Sequence, residues 1–375
     1  MSARKISVLT VAGDPGGAAA MSPVLRMLGT DDRMALRMLA YRQAVTLWRQ
    51  QGFTVEPLDE KISTDGVSQM ISTYKPSLLF TGTSVNGVDL EKTFIQAARK
   101  LAIPSLSLLD FWSNYRPRFA DAAGALRYMP DKIAIMDEQA RTEMSAEGFN
   151  GDRLVITGQP ALDNLANCRK HFSRAQRQSL RQSLGLETDA LLVMFISQPL
   201  STFYSDPRGP QHPGYDENIT LRLLLEALER LAVASGEKIH LGVRLHPREE
   251  AEKPLPMSRL IRVFKMSQGD VHHQTIASNL VIGMTSMLLV EACYLGCLTL
   301  SFQPGLRVAD PLPTTRSGLT RPVYKAGELD AALKDLLLGP DGSGKMRQMT
   351  KTVSQLAATK GLVNLIQTMS GMARV

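Results

Sequence analysis

The sequence is poor in cysteine and in aromatic residues, and it contains no long apolar run. Only three of its 375 residues are cysteines, too few for the disulfide framework of a small secreted domain. Aromatic residues make up 6% of the chain. With no basic arm and no RNA-binding signature, this argues against nucleic acid as a partner. No apolar run approaches the roughly 20 residues that span a bilayer.

The rest of the composition is that of an ordinary globular protein with a net positive charge. Hydrophobic residues are 44% and charged residues 21%, and a chain of 375 residues predicts two domains. The net charge of +7 suits an anionic substrate or an acidic membrane surface. The apolar stretch at the N-terminus is too short for a signal peptide and is interpreted as a first strand. We therefore expect a cytoplasmic protein, whose basic balance permits contact with the inner face of the membrane.

Strand-like runs alternate with helical patterns along both halves, which predicts parallel, doubly wound sheets. In the first half the predicted strands are Ile6–Val11, Ala35–Ala40, Ser77–Thr81, Ser105–Leu109 and Lys132–Met136. In the second half they are Leu191–Ile196, Ile239–Leu245, Leu260–Val263, Leu280–Ile282 and Cys297–Phe302. The predicted fold is α/β, with two Rossmann-like domains, 1–160 and 161–344, facing each other across a cleft. A C-terminal helix within 345–375 is expected to pack back across the hinge.

The first candidate site is the stretch Val11-Ala-Gly-Asp-Pro-Gly-Gly-Ala-Ala-Ala20, where a strand ends and a helix begins. Gly16 and Gly17 allow backbone amides to approach a ligand, and a helix N-terminus favours negative charge. The stretch is neither a dinucleotide fingerprint nor a P-loop. Asp14 is either a catalytic base at this sheet edge or a turn residue. A tight turn without a ligand is an equal alternative for the whole stretch.

The second candidate is Gly242-Val-Arg-Leu-His-Pro-Arg248, at the carboxyl end of a predicted strand. Arg244, His246 and Arg248 place three potential cations there, and alternation along the strand directs Arg244 and His246 to the same face. Pro247 ends the strand. We favour phosphate binding over the alternative, in which His246 is a structural residue at a strand end whose hydrogen bonds are made within the protein. His246 is also a candidate catalytic residue.

The third candidate is Leu280–Gly296, in which a buried strand leads to Thr285 and Ser286 and then into a short apolar helix. The two hydroxyls and the free amides at the helix start suit a phosphate. Glu291 is a lone carboxylate inside this helix. It either pairs with a basic residue behind the helix or accepts hydrogen bonds from a ribose.

Two further segments add candidates for substrate binding. Gln198, at the end of a predicted strand, precedes a long irregular loop, Pro199–Asn218, of the kind that is usually functional or mobile. In the first half, Asp110 follows a strand and is a candidate general base. Trp112 and Arg118 lie in the loop after it and either line an acceptor cleft or pack against their own domain. No Asp-x-Asp motif lies near a strand end, so neither a divalent metal nor another cofactor is expected.

Together these features resemble the two-domain GT-B glycosyltransferase superfamily, in which a Gly-rich first loop, a His-Pro motif and a Ser-then-Glu helix recur. Within it the chain resembles sialyltransferase-like and capsule transferases, CDP-glycerol glycerophosphotransferases and UDP-N-acetylglucosamine 2-epimerases. The resemblance implies that His246 and Ser286, assisted by Thr285, contact donor phosphates and that Glu291 binds the donor ribose. Gly16 and Gly17 would face the cleft from the first domain.

The resemblance predicts a metal-independent glycosyltransferase that moves a sugar from a UDP, CDP or CMP donor to an acceptor hydroxyl. Surface polysaccharide or glycoconjugate synthesis is the expected setting. The epimerases' Gly-Thr-Arg-Pro-Glu opening is replaced here by Ala12-Gly-Asp-Pro-Gly, and their Ser-Gly-Gly-x-Gln-Glu-Glu stretch by the residues from Thr285 to Glu291. These departures favour transfer over epimerisation. An epimerase or hydrolase, and a non-catalytic protein that binds nucleotide sugars, are the alternatives.

Overall fold

A computed structural model describes residues 5–85, 87–339 and 357–371 of the chain. The chain forms two compact units. The first comprises residues 1–163 together with 356–375, and the second comprises residues 164–355. Within the described ranges, no helix is long and apolar enough to cross a membrane.

The first unit is built on a parallel sheet of seven strands among the described residues. Its strands are β1 (Ile6–Ala12), β2 (Met34–Ala40), β3 (Glu56–Pro57), β4 (Leu78–Thr81), β5 (Ser105–Leu108), β6 (Lys132–Ile135) and β7 (Leu154–Ile156). Their order is β3-β2-β1-β4-β5-β6-β7, and every neighbouring pair is parallel. The order reverses between β1 and β4, and in open α/β sheets such a switch point is where ligands bind.

Helices connect the strands of the first sheet and cover it. They are α1 (Pro15–Gly29), α2 (Gln43–Gln50), α3 (Thr64–Tyr74), α4 (Leu90–Lys100), α5 (Tyr115–Phe119) and α6 (Glu138–Ala146), while α7 (Asp163–His171) begins at the unit boundary. Side chains alternate along each strand, so β1 contributes Val8 to one buried cluster and Leu9 and Val11 to another. The sheet is therefore buried on both faces, which explains its nearly continuous apolar strands.

The last described helix, α15 (Ala358–Met369), belongs to the first unit. Its Leu362 and Ile366 are fully buried in the core cluster that also contains residues of α1. The helix start is held by Asp163, whose carboxylate accepts hydrogen bonds from the amides of Ala358 at 3.1 Å and Thr359 at 2.6 Å. The part of the predicted helix from 345 to 356 lies outside the described residues.

The second unit has a parallel sheet of six strands among the described residues. They are β8 (Leu191–Ile196), β9 (Ile239–Arg244), β10 (Arg262–Lys265), β11 (Leu280–Gly283), β12 (Thr299–Phe302) and β13 (Arg321–Val323). The order β10-β9-β8-β11-β12-β13 has the doubly wound pattern of the Rossmann fold, with its switch point between β8 and β11. The predicted fold class of two Rossmann-like α/β domains is thus confirmed.

The helices of the second unit are α8 (Arg174–Ser183), α9 (Leu200–Phe203), α10 (Glu217–Ser235), α11 (Val271–Ala277), α12 (Met287–Tyr294), α13 (Pro313–Arg316) and α14 (Leu329–Leu338). The segment predicted to be an irregular loop contains α9, and α10 begins at Glu217, so the irregular part is shorter than predicted. Short 3-10 turns occur at Gly151–Arg153, Pro160–Leu162 and Ala326–Glu328. Strands β3 and β13 escaped prediction because both are short edge strands that contain a proline.

Candidate functional site

A direct hydrogen bond joins the two sides of the switch point in the second sheet. Gln198 follows β8, and Thr285 and Ser286 follow the adjacent strand β11. The Oε1 atom of Gln198 accepts a hydrogen bond from the amide of Thr285 at 2.9 Å and lies 3.4 Å from its hydroxyl oxygen. Three of the predicted binding residues are therefore brought together where the carboxyl ends of two neighbouring strands meet.

Ser286 forms the N-cap of α12, as the sequence predicts. Its Oγ accepts a hydrogen bond from the amide of Leu288 at 3.2 Å, and its carbonyl oxygen accepts one from Leu289 at 3.0 Å. Because the Leu288 amide is capped by a side chain rather than by a helical carbonyl, an anion placed here can replace this cap and meets the positive end of the helix dipole. The Ser286 hydroxyl can still donate its proton to such an anion.

His246 lies in the turn beyond β9 rather than on the strand. Because β9 ends at Arg244, the argument from strand alternation was wrong for His246. The Nδ1 atom of His246 accepts a hydrogen bond from the Arg248 amide at 3.1 Å, so the neutral imidazole has its proton on Nε2. Burial, reinforced by the Arg248 charge, lowers the pKa of His246 even though the charge of Glu249 opposes this. At neutral pH His246 therefore offers a neutral N–H donor.

The three predicted cations at the end of β9 do not act alike. Arg244 is hydrogen-bonded within its own unit, where Nη1 donates to the carbonyl oxygen of Met266 at 2.7 Å and to Oε1 of Gln274 at 3.3 Å. This places Arg244 against α11 and the residue after β10, acceptors that could not be predicted from the sequence. Part of the hydrogen-bonding capacity of the Arg244 guanidinium is thus taken up by acceptors of the protein itself.

Phe203 links His246 to Arg248. Its ring is edge-on to the His246 ring, with centroids 6.4 Å apart, and the Arg248 guanidinium carbon lies 5.8 Å from the Phe203 ring centroid. Phe203 is the last residue of α9 and is 49% exposed. The loop after β8 therefore provides an aromatic side chain beside the His-Pro turn, a contribution that single-residue motifs in the sequence do not reveal.

Glu291 is paired with a histidine. Its Oε2 atom lies 2.8 Å from Nε2 of His272, and the two side chains are 26% and 29% exposed. The hydrogen bond to Glu291 raises the pKa of His272 despite the opposing effect of burial. Of the two interpretations of Glu291, the structure shows the basic partner, and a ribose contact stays a prediction. His272 lies in the first turn of α11.

The Gly-rich loop of the first unit also lies at a switch point. It follows β1, next to the loop after β4. Gly17 packs against this neighbour at ordinary van der Waals distance, since an added Cβ would lie 3.6 Å from the Gly82 Cα. The Val85 amide donates to Oδ2 of Asp14 at 3.3 Å. The turn between β1 and α1 consists of Gly13 and Asp14, whereas Gly16 and Gly17 lie in the first turn of α1.

A buried carboxylate that the sequence analysis missed supports this turn. Glu91, near the start of α4, is 4% exposed. Its Oε1 accepts hydrogen bonds from the Gly13 amide at 3.0 Å and the Ser84 hydroxyl at 2.6 Å, and its Oε2 accepts one from the Tyr41 hydroxyl at 2.5 Å. Burial raises the pKa of Glu91, although these hydrogen bonds oppose the shift. The turns after β1, β2 and β4 are thus joined through one side chain.

Asp110 lies against the Gly-rich loop but is held in an ion pair. A Cβ added at Gly16 would be 2.3 Å from Oδ2 of Asp110. Oδ1 of Asp110 is 2.6 Å from Nη1 of Arg118, which also donates to the hydroxyl and carbonyl oxygens of Thr83 at 2.7 and 3.0 Å. Arg118 is only 8% exposed. Both candidate bases, Asp14 and Asp110, therefore flank one loop.

Trp112 is buried, with 3% of its surface exposed. Its indole Nε1 donates a hydrogen bond to Oδ2 of Asp137 at 2.7 Å, and Asp137 also caps the start of α6. The aromatic loop after β5 thus packs against its own unit, which is the structural alternative weighed for it. The sequence did not reveal Asp137 as the partner, because the two residues are far apart along the chain.

Comparisons with known proteins relate the chain to others mainly through its fold. No family model matches it. A curated relative, the acetyl-coenzyme A carboxylase carboxyl transferase subunit alpha of Pelodictyon phaeoclathratiforme, is 36% identical over 92 residues. The match covers 24% of this chain and 27% of that protein, so the chain spans about a quarter of the relative's length. A match this short shows no family.

Solved structures match nearly the whole chain. The UDP-GlcNAc 2-epimerase from Neisseria meningitidis bound to UDP-GlcNAc has a TM-score of 0.69 at 14% identity, covering 97% of this chain and 100% of that one. The S. aureus MnaA–UDP structure has a TM-score of 0.68 at 14% identity and covers 98% of each chain. Anabaena Alr3699/HepE in complex with UDP and glucose has a TM-score of 0.62 at 13% identity, covering 97% of this chain and 99% of that one. The chain therefore has the GT-B fold, the fold that these proteins share.

Proposed function

We propose that this protein is a nucleotide-sugar-dependent enzyme that transfers a glycosyl group to an acceptor hydroxyl without a metal ion. The observation that supports this most directly is the grouping of Gln198, His246 and Ser286. They follow β8, β9 and β11, which are neighbours in the second sheet. Two of these strands flank the switch point, where doubly wound sheets bind nucleotides.

In this proposal the donor phosphates bind at the start of α12. Ser286 and the first helical amides donate hydrogen bonds to them, with Thr285 assisting. His246 adds its Nε2 proton, and Arg248 adds a positive charge. These donors stabilise the negative charge that develops on the leaving nucleotide as the glycosidic bond breaks. Because backbone amides, a neutral imidazole and a guanidinium do this work, the reaction requires no divalent ion.

The structures with bound ligands agree with this choice of donor. The Neisseria, S. aureus and Anabaena proteins were crystallised with UDP-GlcNAc, UDP, and UDP with glucose. By analogy we assign a uridine diphosphate sugar as the first donor to test, ahead of CDP and CMP donors. Glu291, oriented by His272, would accept hydrogen bonds from the ribose hydroxyls through the carboxylate edge that His272 leaves accessible.

The first unit supplies the candidate base. We assign this role to Asp14, since it lies in the turn between β1 and α1, directly before the helix start that contains Gly16 and Gly17. Asp110, in its ion pair with Arg118, is better suited to shape the loop and to bind an acceptor hydroxyl than to remove a proton. In this scheme Trp112 and Arg118 stabilise the acceptor side from within the unit, and Asp14 deprotonates the hydroxyl as it attacks.

Calorimetric titration of the protein with UDP, CDP and CMP tests the donor site. We expect UDP to bind, and Ser286→Ala and His246→Ala to weaken its binding. A folded protein that binds none of the three nucleotides would contradict the proposal. Thr202→Ala is a matched control for the serine change, because Thr202 is an exposed hydroxyl residue on α9 outside the proposed phosphate contacts.

The principal alternative is an epimerase or hydrolase acting on the same nucleotide sugar. Its support is that several of the matching structures, including the one from Neisseria, are UDP-GlcNAc 2-epimerases. Mass spectrometry and NMR of the donor incubated without acceptor separate the two reactions. A donor that is stable until an acceptor is added indicates transfer, whereas conversion of the donor alone indicates epimerisation or hydrolysis.

A non-catalytic role is separated from both by the candidate bases. If Asp14→Asn abolishes turnover while UDP still binds, the protein is an enzyme and Asp14 takes part in the reaction. If the unmodified protein binds UDP but converts no donor with any acceptor, the binding-protein alternative gains. The basic net charge of +7 suits an acceptor at an acidic membrane surface, and we propose glycoconjugate or surface polysaccharide synthesis as the setting.

A further inference from the structure

A buried carboxylate lies directly behind the His246 turn. The side chain of Glu249 is only 3% exposed, although it follows a proline turn at the surface. Its Oε2 atom accepts a hydrogen bond from the His246 amide at 2.7 Å. Its Oε1 atom accepts hydrogen bonds from the Ser197 hydroxyl and from Nζ of Lys253, both at 2.9 Å. One carboxylate therefore joins the residues that follow β8 and β9.

Lys253 extends this connection to the loop after β8. Its ammonium group also lies 3.1 Å from Oε1 of Glu217, which is 3% exposed at the start of α10. Glu217 in turn accepts hydrogen bonds from the amide of Ser201 at 3.0 Å and from its hydroxyl at 2.6 Å. Burial alone would raise the pKa of Glu217, but these contacts together lower it. The helix α9 and the His-Pro turn are thus tied to the same pair of carboxylates.

Stability alone is a weak reason for such an arrangement. Moving charges out of water costs several kcal/mol per ion, and apolar residues of similar size often replace buried ion pairs without loss. A network of this kind does, however, hold its members in one geometry. Here His246 is held at two points, its amide by Glu249 and its Nδ1 atom by the Arg248 amide. These two contacts fix the direction in which Nε2 points.

We propose that Glu249 is a positioning residue that orients His246 for the donor phosphate, with Lys253 and Glu217 holding its carboxylate in place. The proposal rests on the proposed function, because it assigns the phosphate contact to His246. Glu249 itself touches no ligand. Its effect on the reaction passes through the backbone of the His-Pro turn and through its charge on the imidazole.

The first test is an NMR titration of the His246 ring in the unmodified protein and in Glu249→Gln. The negative charge of Glu249 raises the His246 pKa, so its removal is expected to lower that pKa further. Glu250→Gln is the matched control, since it removes the same charge from the neighbouring, exposed side chain. A shift in Glu249→Gln that is no larger than the shift in Glu250→Gln would overturn the proposal.

The second test measures binding of inorganic pyrophosphate, UDP and uridine. Glu249→Ala is expected to weaken pyrophosphate and UDP binding about tenfold or more, the usual scale for losing a hydrogen bond to a charged group. Uridine binding should be unchanged. Glu249→Gln should lose less, because its amide oxygen can still accept from the His246 amide. Equal losses for uridine and UDP would mean that Glu249 supports the unit as a whole, and the proposal would fail.

The two proposals fail in different ways. If the unmodified protein binds neither UDP nor pyrophosphate, the proposed function fails, while the His246 titration still decides whether Glu249 sets the state of that ring. Circular dichroism establishes that each variant is folded. If Glu249→Ala is unfolded, Glu249→Gln and Lys253→Met replace it. Lys253→Met removes one partner of the Glu249 carboxylate and is expected to weaken pyrophosphate binding relative to the unmodified protein while leaving uridine binding unchanged.

Discussion

At the scale of single residues, Glu91, Glu249 and Glu291 lie close to the candidate sites, and each has a different kind of partner. Glu91 accepts hydrogen bonds from an amide and two hydroxyls, Glu249 from an amide, a hydroxyl and an ammonium group, and Glu291 is paired with His272. A buried carboxylate requires such partners, because leaving it unpaired costs several kcal/mol. The hydrogen-bonding partners of each carboxylate therefore indicate its role better than the position of the residue in the sequence does.

Ser286 and Glu291 are proposed to bind different parts of the donor, the phosphates and the ribose, and this leads to the first prediction. Ser286→Ala removes a phosphate donor and is expected to weaken UDP binding about tenfold while leaving uridine binding unchanged. Glu291→Ala is expected to weaken both by a similar factor, because the nucleoside part contains the ribose. Isothermal titration calorimetry with UDP and uridine measures the four affinities. Equal and small effects on both ligands would make α12 an ordinary structural helix.

The His272–Glu291 pair leads to a prediction about pH. The pKa of His272 is raised above its ordinary value of 6.5, chiefly by the hydrogen bond to Glu291. Its stabilising contribution is therefore fully present below about pH 6.5 and is lost as the pH rises through the raised pKa. Because the pair is partly exposed, we expect a change in unfolding free energy of no more than about 1 kcal/mol.

Denaturant unfolding between pH 5.5 and 9 measures this change. Glu291→Gln should be less stable than the unmodified protein at the acidic end, and the difference should shrink as the pH rises. Glu226→Gln serves as a control, since its carboxylate pairs with Arg222, an exposed arginine that stays charged over this range. A difference that is constant over the whole range would show that the pair does not titrate in this way.

At the scale of elements, the turn after β1 leads to a third prediction. A Cβ at Gly13 would lie 2.1 Å from the ring of Tyr41, which is buried and donates to Glu91. Gly13→Ala must therefore displace a rigid ring and is expected to cost about 1–3 kcal/mol of unfolding free energy. Gly242→Ala meets the flexible Met266 side chain at 2.2 Å and should cost less.

Thermal and denaturant unfolding of both variants provide the measurement. Gly151→Ala is the control, because a Cβ there has open space around it. If Gly13→Ala is as stable as Gly151→Ala, the turn is not as tightly packed as the structure indicates. Gly13→Ala is also expected to reduce activity, since Asp14 follows Gly13 directly.

The elements also show how far the sequence alone could lead. The apolar run Leu191–Ile196 was predicted with its observed bounds, because burial on both faces makes parallel strands uniformly apolar. The two-residue strand β3 could not be predicted, because only its pairing with β2 defines it. The same holds for the Arg118–Asp110 ion pair, which depends on how a loop folds back rather than on spacing.

Site residues could be predicted where a short sequence motif by itself determines the local backbone structure. The start of a helix at Ser286 follows from local residue types, whereas the prediction that strand alternation extends to His246 was wrong. Gln198 could be named as a candidate, but its hydrogen bond to Thr285 depends on β8 and β11 being neighbours, and the sequence does not reveal strand order. Glu91 and Glu249 were missed for a similar reason. Their partners come from several turns that only the folded sheets bring together.

At the scale of the whole molecule, the last described helix leads to a fourth prediction. Leu362 of α15 is fully buried in the core of the first unit, although more than 190 residues separate the two parts of that unit. Leu362→Ala is expected to lower the unfolding free energy of the first unit by about 2–5 kcal/mol. Asn364→Ala, at an exposed position on the same helix, should change it little.

Hydrogen exchange followed by mass spectrometry locates the effect. Peptides from β1 and α1 should lose protection in Leu362→Ala, whereas peptides from β8 and β9 should keep it, because the two units have separate buried clusters. Equal loss of protection in both units would mean that the two cores unfold together. Protection that is unchanged in both would show that α15 contributes little to the first core.

The position of α15 has a consequence for folding during synthesis on the ribosome. The helix that completes the first core emerges only after residues 164–355 have been made. At about 5–20 residues per second, this takes roughly 10–40 s. During that time α1, which packs against α15, lacks part of its cover. The nascent chain is therefore a natural client for chaperones, and slower translation of its second half would lengthen the time for which it needs them.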